Sequence, residues 1–323
     1  MNKNLRSVLK ISLPLLLGAL LVWYSISKIS VETLVVYFKN ANYFWIGLGV
    51  FFGLLSHLSR AYRWKFMIEP MGYQLRLPNS IMAVFITYLV NYTIPRAGEV
   101  SRATVLTNYE GVPFEKGFGT IIAERVADLV VMLCIISISL VLEFDIIYKN
   151  IITAIDPTKL LILGLIAILV LVILYQGIKN SNRPVILKIK TLFLGLVEGI
   201  LSILKMKKKW AFIAHTLFIW IMYVLMFYVT TFSISETSQL PFSAILIGFI
   251  FASFSIAATN GGIGSYPLAV FAAFSIFNFP EDPSIAFGWI MWTSQTLMII
   301  VLGGLSLLFL PIYNNVFPKQ TSK

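Results

Sequence analysis

The chain alternates between long runs of apolar residues and short charged or Pro/Gly-rich stretches. Several runs approach the roughly 20 apolar residues that a helix needs to cross a bilayer. They predict full membrane spans at 11–27, 43–65, 117–142, 160–178, 210–232 and 284–311. A membrane barrel would show alternating segments of about ten residues, and these runs do not alternate. The pattern therefore predicts an all-α fold, a polytopic helical bundle in which each span satisfies its own backbone hydrogen bonds.

Two further apolar stretches, at 80–108 and 241–277, are each interrupted near the middle. Pro95 and Gly98 break the first stretch, and a glycine-rich turn at 260–264 breaks the second, because these residues disrupt helices. Each stretch is either a re-entrant hairpin that returns to its starting face or a full span. The chain then has six full spans plus two hairpins, or eight spans by hydropathy.

The composition fits a lipid environment. Hydrophobic residues make up 58% of the chain and charged residues 12%, which leaves too little polar surface to cover a soluble globule. The net charge of +11 comes from Lys and Arg that border the apolar runs, so membrane topology explains it better than nucleic-acid binding. The single Cys134 excludes an intrachain disulfide. We expect no nucleic-acid partner, no metal and no cofactor.

The distribution of Lys and Arg favours the hairpins, because these residues concentrate in cytoplasmic loops. With two hairpins, the cytoplasmic segments hold 19 Lys and Arg and the outer loops, among them 25–42, hold 4. With two full spans, the basic segment 179–209 would face outward. The chain is thus predicted to be a plasma-membrane protein with both termini in the cytoplasm.

This topology predicts a single transmembrane domain, 1–323, made of two inverted halves. The halves are 1–159 and 160–323, and each contains two spans, a broken hairpin and a third span. Between them, polar and small residues recur every three or four positions, which predicts an interfacial amphipathic helix at about 184–209. This helix either connects the halves or senses lipid.

The first broken stretch places charged side chains at a helix break inside an apolar region. Its polar residues include Asn91, Arg96, Glu99 and Arg102. The planar guanidinium group of arginine suits a phosphate, and N–H groups at a helix start favour the same anion. Ionisable residues at membrane depth are costly and usually line a pathway. We interpret the stretch as a phosphate-binding site, with a structural Glu–Arg pair as the alternative.

A second charged cluster, Glu124, Arg125 and Asp128, lies within the predicted span 117–142. Arg125 and Asp128 are three residues apart, so they can pair on one face of the helix. The cluster is either a structural salt bridge or lies opposite the first broken stretch. In the second case the carboxylate of Glu124 or Asp128 binds a coupling proton or neutralises the charge of Arg96.

The second broken stretch is neutral and rich in glycine. It contains Asn260, Gly261, Gly262 and Gly264. Glycines let a ligand approach backbone N–H groups closely, so we include these residues in the candidate substrate site. Helix association through small residues is the alternative.

The remaining polar residues have simpler explanations. His57, Arg60 and Arg63 share a helical face near the inner end of their span, which is typical of a positive-inside anchor, with contact to lipid headgroups as the alternative. His215 and Gln295 fit interhelical hydrogen bonds. The sequence contains no HExxH, GxSxG or paired-cysteine motif. We therefore expect no catalytic residues and no enzyme activity.

Three motifs together resemble a known family. They are N-x-x-x-P-R-x-G-E-x-x-R at 91–102, E-R-x-x-D at 124–128 and G-G-x-G at 261–264. The chain resembles the lysylphosphatidylglycerol synthase transmembrane, or flippase-like, family from its first span to about Pro311. The resemblance implies movement of aminoacylated phospholipid, or of glycosylated polyprenyl phosphate, between leaflets.

Two features separate this chain from the full-length synthases that it resembles. Those synthases add a soluble C-terminal transferase domain, whereas this chain has only about a dozen residues after Leu310, so we expect no lysine transfer. Relatives often continue the glycine motif toward an acidic residue, but Ser265, Tyr266 and Pro267 follow here.

The leading hypothesis is a lipid translocase. Arg96 and Arg102 hold the phosphate of a membrane lipid, and both broken stretches form the headgroup cavity. The first alternative is an accessory membrane protein that recruits an enzyme of envelope lipid or glycolipid synthesis, and the second is a membrane-embedded transferase with Glu99 or Asp128 as base. A hydrophilic cavity around Arg96 and Asn260 would favour transport, whereas close contact there would favour the accessory role.

Overall fold

The computed structural model describes residues 16–94, 96–142, 144, 165 and 206–319. These residues form helices joined by short turns, and the described part of the chain contains no strand, which confirms the all-α class. The chain divides into two units: Met1–Ile121 with Lys207–Lys323 form the larger, and Ile122–Met206 the smaller. Nearly all of the predicted span 160–178 and of the predicted helix 184–209 lies outside the described residues.

The helices whose bounds fall within the described residues are numbered in chain order. They are α1 (Leu16–Ser27), α2 (Val31–Asn40), α3 (Tyr43–Ile68), α4 (Leu77–Thr93), α5 (Ala97–Glu110), α6 (Phe114–Leu142), α7 (Lys209–Thr231), α8 (Phe242–Ala258), α9 (Ser265–Ser275) and α10 (Glu281–Val316). Two short 3₁₀ turns, Glu69–Met71 and Thr237–Gln239, follow α3 and α7. Four predicted spans therefore coincide with α3, α6, α7 and α10, which are long and apolar enough to cross a membrane.

A third break separates α1 from α2. The two helices meet at 83° and together give a fifth candidate span. Residues 31–40, which belong to the predicted outer loop 25–42, form the helix α2, and the sequence analysis did not predict this helix. The helix starts where the side chain of Ser30 accepts a hydrogen bond from the Thr33 N–H at 3.0 Å, a common N-cap arrangement.

Small residues let α3 approach its neighbours. A Cβ added at Gly49 would lie 2.3 Å from the Thr230 Oγ1 of α7, and one at Gly53 would lie 2.5 Å from the Gln295 Oε1 of α10. Small residues serve the same purpose in many membrane bundles. A larger side chain at Gly49 would therefore displace the Thr230 side chain, and one at Gly53 would displace the Gln295 side chain.

An aromatic cluster fixes α7, α8, α9 and α10 to one another. Phe227 lies at the centre, with ring centroids 6.2 Å from Phe249, 6.4 Å from Phe274 and 5.1 Å from Phe287. Phe274 and Phe287 stack at 5.8 Å. Such aromatic pairs add about 0.5–1.5 kcal/mol each beyond the burial of their area. The cluster holds α9 beside α8 and closes the second broken stretch into a hairpin.

One end of the larger unit is rich in basic residues. Lys208 Nζ lies 3.0 Å from Glu69 Oε2, and Arg76 Nε lies 3.1 Å from Glu110 Oε1. Arg76 also donates to the backbone oxygen of Phe317. We define the basic end as residues 65–76, 109–116, 206–210 and 314–319. It contains seven Lys and Arg against three Asp and Glu.

The opposite end has the reverse balance of charge. The Asn42 N–H donates to Ser233 O at 2.9 Å, and Lys28 Nζ lies 3.7 Å from Glu281 Oε1. We define the acidic end as residues 25–42, 233–241 and 276–284. It contains two Lys and four Asp and Glu. The described parts of the segments that the charge pattern assigned to the two membrane faces thus gather at two separate ends of the larger unit.

The two broken stretches form hairpins that enter from opposite ends. Hairpin 1, α4 and α5, starts and finishes at the basic end, where Arg76 and Glu110 form their ion pair. Hairpin 2, α8 and α9, starts and finishes at the acidic end. A Cβ added at Gly248 of α8 would lie 2.6 Å from the Phe274 ring of α9. Both stretches therefore return to their starting end, as the hairpin interpretation requires.

Candidate functional site

Hairpin 1 turns where the sequence disrupts the helix. Ile94 is extended, at φ −127° and ψ 113°, because the proline that follows it disfavours helical backbone. Arg96 adopts the left-handed conformation, at φ 60°, and α5 begins at the next residue. A non-glycine residue in this conformation is uncommon. The turn leaves the Arg96 side chain exposed at the tip of the hairpin.

Asn91 joins the two arms of hairpin 1 through hydrogen bonds. Its Oδ1 accepts a hydrogen bond from the Gly98 N–H at 2.8 Å, and its Nδ2 donates to Glu99 Oε2 at 3.4 Å. A Cβ at Gly98 would lie 2.1 Å from the backbone oxygen of Thr87, so only glycine allows α5 this close to α4. Two residues of the predicted phosphate site, Asn91 and Glu99, therefore take part in the hydrogen bonds that stabilise the turn.

Arg96 and Arg102 occupy different environments. Arg102 is buried, with its guanidinium carbon 3.8 Å from the centroid of the Trp64 ring, while Arg96 is exposed. Trp64 Nε1 in turn donates to Thr120 Oγ1 at 2.8 Å. Six residues of helix place the two arginine backbones about 9 Å apart along α5. Of these two arginines, only Arg96 is therefore exposed at the tip of hairpin 1.

Hairpin 2 turns on left-handed glycines. Gly261, Gly262 and Gly264 have φ values of 64°, 81° and 69°, which glycine adopts at little cost. Thr259 Oγ1 accepts from the Gly262 N–H at 3.2 Å and lies 2.8 Å from Ser265 Oγ. The predicted Asn260 is buried within this turn.

The tips of the two hairpins are in contact. A Cβ added at Gly261 would lie 2.3 Å from the Tyr92 ring, so the ring rests directly on this glycine. Tyr92 Oη lies 3.1 Å from Thr296 Oγ1, and Trp292 Nε1 donates to Gly261 O at 2.7 Å. The structure thus brings the first and third motifs together against α10. No sequence pattern had marked Tyr92, Trp292 or Thr296 as site residues, although Tyr92 stands beside Asn91 in the first motif.

Helix α1 packs against the tip of hairpin 2. A Cβ at Gly264 would lie 2.3 Å from the backbone nitrogen of Val22, and Ile263 lies against Gly18. Further along α1, Ser25 accepts a hydrogen bond from Trp289 Nε1 at 3.1 Å. The glycine motif therefore serves close helix contact as well as the turn.

The basic face of α3 points into the bundle. His57, Arg60 and Arg63 are buried, so the alternative that they contact lipid headgroups is wrong, while their role as a positive-inside anchor stays a prediction. Arg63 Nη1 donates to Thr216 Oγ1 at 2.7 Å, and the His57 ring lies 4.5 Å from that of Tyr88. Helical periodicity identifies a shared face, but only the neighbouring helices decide whether that face is covered.

The expected interhelical hydrogen bond of His215 is present. Its Nδ1 lies 2.8 Å from Ser59 Oγ, which joins α7 to α3. Within α6, Glu124 and Asp128 are buried and Arg125 is exposed. The predicted place of this acidic pair opposite hairpin 1 stays a prediction. Among the described residues, no group of His, Cys, Asp and Glu could hold a metal ion.

The fold and its site define a polytopic α-helical membrane protein with two opposed, broken hairpins that meet at their tips. The chain belongs to the family described as the lysylphosphatidylglycerol synthase TM region, whose sequence profile matches residues 11–304.

A similarity to an archaeal protein agrees with this family. The UPF0104 membrane protein MJ1595 of Methanocaldococcus jannaschii is 26% identical over 129 residues, which are 39% of this chain and 38% of that protein. The match therefore spans well under half of the relative. No solved structure matches the chain.

Proposed function

We propose that this protein translocates a phosphate-bearing lipid between the leaflets of a membrane. The observation that carries the proposal is the arrangement of two broken hairpins that enter from opposite ends, with the side chain of Arg96 exposed at the tip where they meet. Transporters built from inverted repeats commonly bind substrate where such broken helices meet near the bilayer midplane. The family of the chain, named for the membrane region of a lipid synthase, supports the same class of substrate.

The order of the described helices supports an inverted repeat. Helix α3 runs from the acidic to the basic end and is followed by hairpin 1 and α6. Helix α7 runs from the basic to the acidic end and is followed by hairpin 2 and α10. We infer that 1–159 and 160–323 are inverted halves. We place the basic end and both termini in the cytoplasm of a plasma-membrane protein, because the seven Lys and Arg of that end follow the positive-inside rule.

In this proposal Arg96 binds the lipid phosphate at the tips. Its guanidinium group is exposed there, and Arg102 stabilises the hairpin from its position over Trp64. Once the contact between Tyr92 and Gly261 opens, Asn260 and the glycine turn of hairpin 2 contact the headgroup from the other side. The acyl or prenyl tails stay in lipid. A carboxylate at Glu124 or Asp128 balances charge or carries a coupling proton.

One observation favours a second function, that of an accessory protein for envelope lipid synthesis. The Tyr92 ring fills the space above Gly261 and joins the tips closely. A protein that only anchors an enzyme would keep this contact, whereas a translocase must open it. A chemical group attached at the tips should therefore stop translocation, whereas it should not affect a protein that only anchors an enzyme.

Thr93 offers a place for such a modification, because it is exposed at the end of α4. In a Cys134→Ala background, Thr93→Cys and Ser238→Cys are reacted with a charged methanethiosulfonate reagent. We expect the modified Thr93 variant to lose most lipid translocation in reconstituted vesicles, because a charged group then occupies the lipid path. Modification at Ser238, which is exposed at the acidic end, should leave translocation unchanged. Undiminished translocation after complete modification at position 93 would exclude a path at the tips.

A further inference from the structure

A cavity of about 460 Å³ lies at the basic end, between the end of α3 and the start of α4. Its lining includes Lys65, Glu69, Tyr73, Gln74 and Arg76. The volume falls within the roughly 300–1,000 Å³ that ligand sites in proteins occupy. The tip of hairpin 1 lies at the far end of α4, about 25 Å along the helix. The cavity is therefore separate from the site proposed for translocation.

Basic side chains outnumber acidic ones around this cavity. The carboxylate of Glu69 has two lysines beside it, with Lys208 Nζ at 3.0 Å and Lys65 Nζ at 3.7 Å. The charge of Arg76 is balanced by Glu110 at 3.1 Å. Another lysine, Lys116, lies over the Tyr73 ring with its Nζ 5.3 Å from the centroid. The surroundings thus carry a net positive charge.

The cavity also lies at the level expected for lipid headgroups. Helix α7 begins at Lys209, directly after Lys208, and its second residue, Trp210, is 75% exposed. Exposed tryptophans beside lysines are typical of the membrane–water interface. Because Lys208 reaches Glu69 in the cavity wall, the cavity lies at about the same depth.

We propose that this cavity binds the headgroup of a lipid with net negative charge, through the phosphate of that headgroup. Lys65 and Lys208 attract the phosphate, and the Tyr73 hydroxyl and the Gln74 amide donate hydrogen bonds to its oxygens. Lysine is a common point-charge partner of phosphate, and its flexible side chain lets it share Glu69 and the ligand. This binding does not depend on the proposed translocation and would occur equally in an accessory protein.

The experiment measures binding to the purified full chain in a non-ionic detergent. Short-chain phosphatidylglycerol, short-chain phosphatidylcholine and inorganic phosphate are each titrated, and the thermal unfolding midpoint is followed, since a ligand of the folded state raises it. We expect phosphatidylglycerol to act at lower concentration than phosphatidylcholine. The double variant Lys65→Gln, Lys208→Gln should need at least about tenfold more phosphatidylglycerol, because two cations are lost.

Two further variants serve as a control and as a replacement for the lysine variant. Lys39→Gln removes one exposed lysine at the acidic end and should bind as the wild type does. Tyr73→Phe combined with Gln74→Ala weakens binding without changing charge, and replaces the lysine variant if that one does not accumulate. Inorganic phosphate that displaces the lipid completely assigns the site to free phosphate, and phosphate without effect assigns it to a headgroup. Wild-type affinity for phosphatidylglycerol in both double variants, or equal affinity of the wild type for the two lipids, overturns the proposal.

Discussion

Arg96→Lys should lose most lipid translocation while the folded protein accumulates at the wild-type level. Lysine keeps the charge but lacks the planar fork that holds a phosphate through two hydrogen bonds. Because the Arg96 side chain is exposed at the tip, the exchange removes no buried contact that would reduce folding. We expect the translocation rate in reconstituted vesicles to fall at least about tenfold, since charge-assisted bidentate contacts are among the strongest hydrogen bonds.

A double variant separates phosphate binding from a structural role of Arg96. If this arginine only neutralised Glu99, then Arg96→Ala with Glu99→Ala would restore both the yield and the activity that Arg96→Ala alone loses. We expect the double variant to fold and to remain inactive. Full translocation by Arg96→Lys at matched protein amounts would show that the guanidinium group holds no phosphate.

Glu110→Ala should destabilise the folded protein by about 3–5 kcal/mol, the cost of removing one partner from a buried ion pair. Glu110 is fully buried at the end of α5, and its Oε1 accepts from Arg76 Nε at 3.1 Å and from Asn79 Nδ2 at 2.6 Å. The lower part of the range applies, because the Arg76 side chain is 24% exposed and also donates to Asn314. Hairpin 1 would then lose the ion pair between its two ends but keep the hydrogen bond from Arg76 Nη2 to Tyr109 O at 2.9 Å.

The matched control for Glu110→Ala is Glu115→Ala. Glu115 is exposed in the first turn of α6, so its removal should change stability by no more than about 0.5 kcal/mol. Glu110→Gln should recover part of the loss, since an amide oxygen can still accept from Asn79. The readouts are folded yield by size-exclusion chromatography and the thermal midpoint in detergent. Equal thermal unfolding midpoints for the two alanine variants would show that the ion pair does not stabilise the hairpin.

Hydropathy and helix-breaking residues predicted most of the described architecture. The spans at α3, α6, α7 and α10 follow from apolar length alone. The turn of hairpin 1 follows from Pro95 and Gly98, and that of hairpin 2 from its three glycines. Helix α2 was missed because its ten residues are too few to cross a bilayer, and only its N-cap at Ser30 marks it in the sequence.

The candidate site was predictable in its location but not in its contacts. The spacing of Arg96 and Arg102 predicted that both side chains bind one phosphate. In the structure Arg96 is exposed whereas Arg102 is buried, because the Trp64 ring of α3 covers only Arg102. Tyr92 was missed since an aromatic residue in an apolar run is usually a core residue. Its contact with Gly261 joins positions 169 residues apart along the chain, and no local pattern encodes such a contact.

Lipid translocation by the wild-type chain is the most direct test of the proposed function. The protein is reconstituted into vesicles whose inner leaflet carries a labelled lipid, and the appearance of label in the outer leaflet is timed for phosphatidylglycerol, phosphatidylcholine and a polyprenyl phosphate. We expect at least one phosphate-bearing lipid to cross faster than in protein-free vesicles and in vesicles with Arg96→Lys. Crossing at the protein-free rate for every lipid, with folded protein present, would contradict translocation and leave the accessory function.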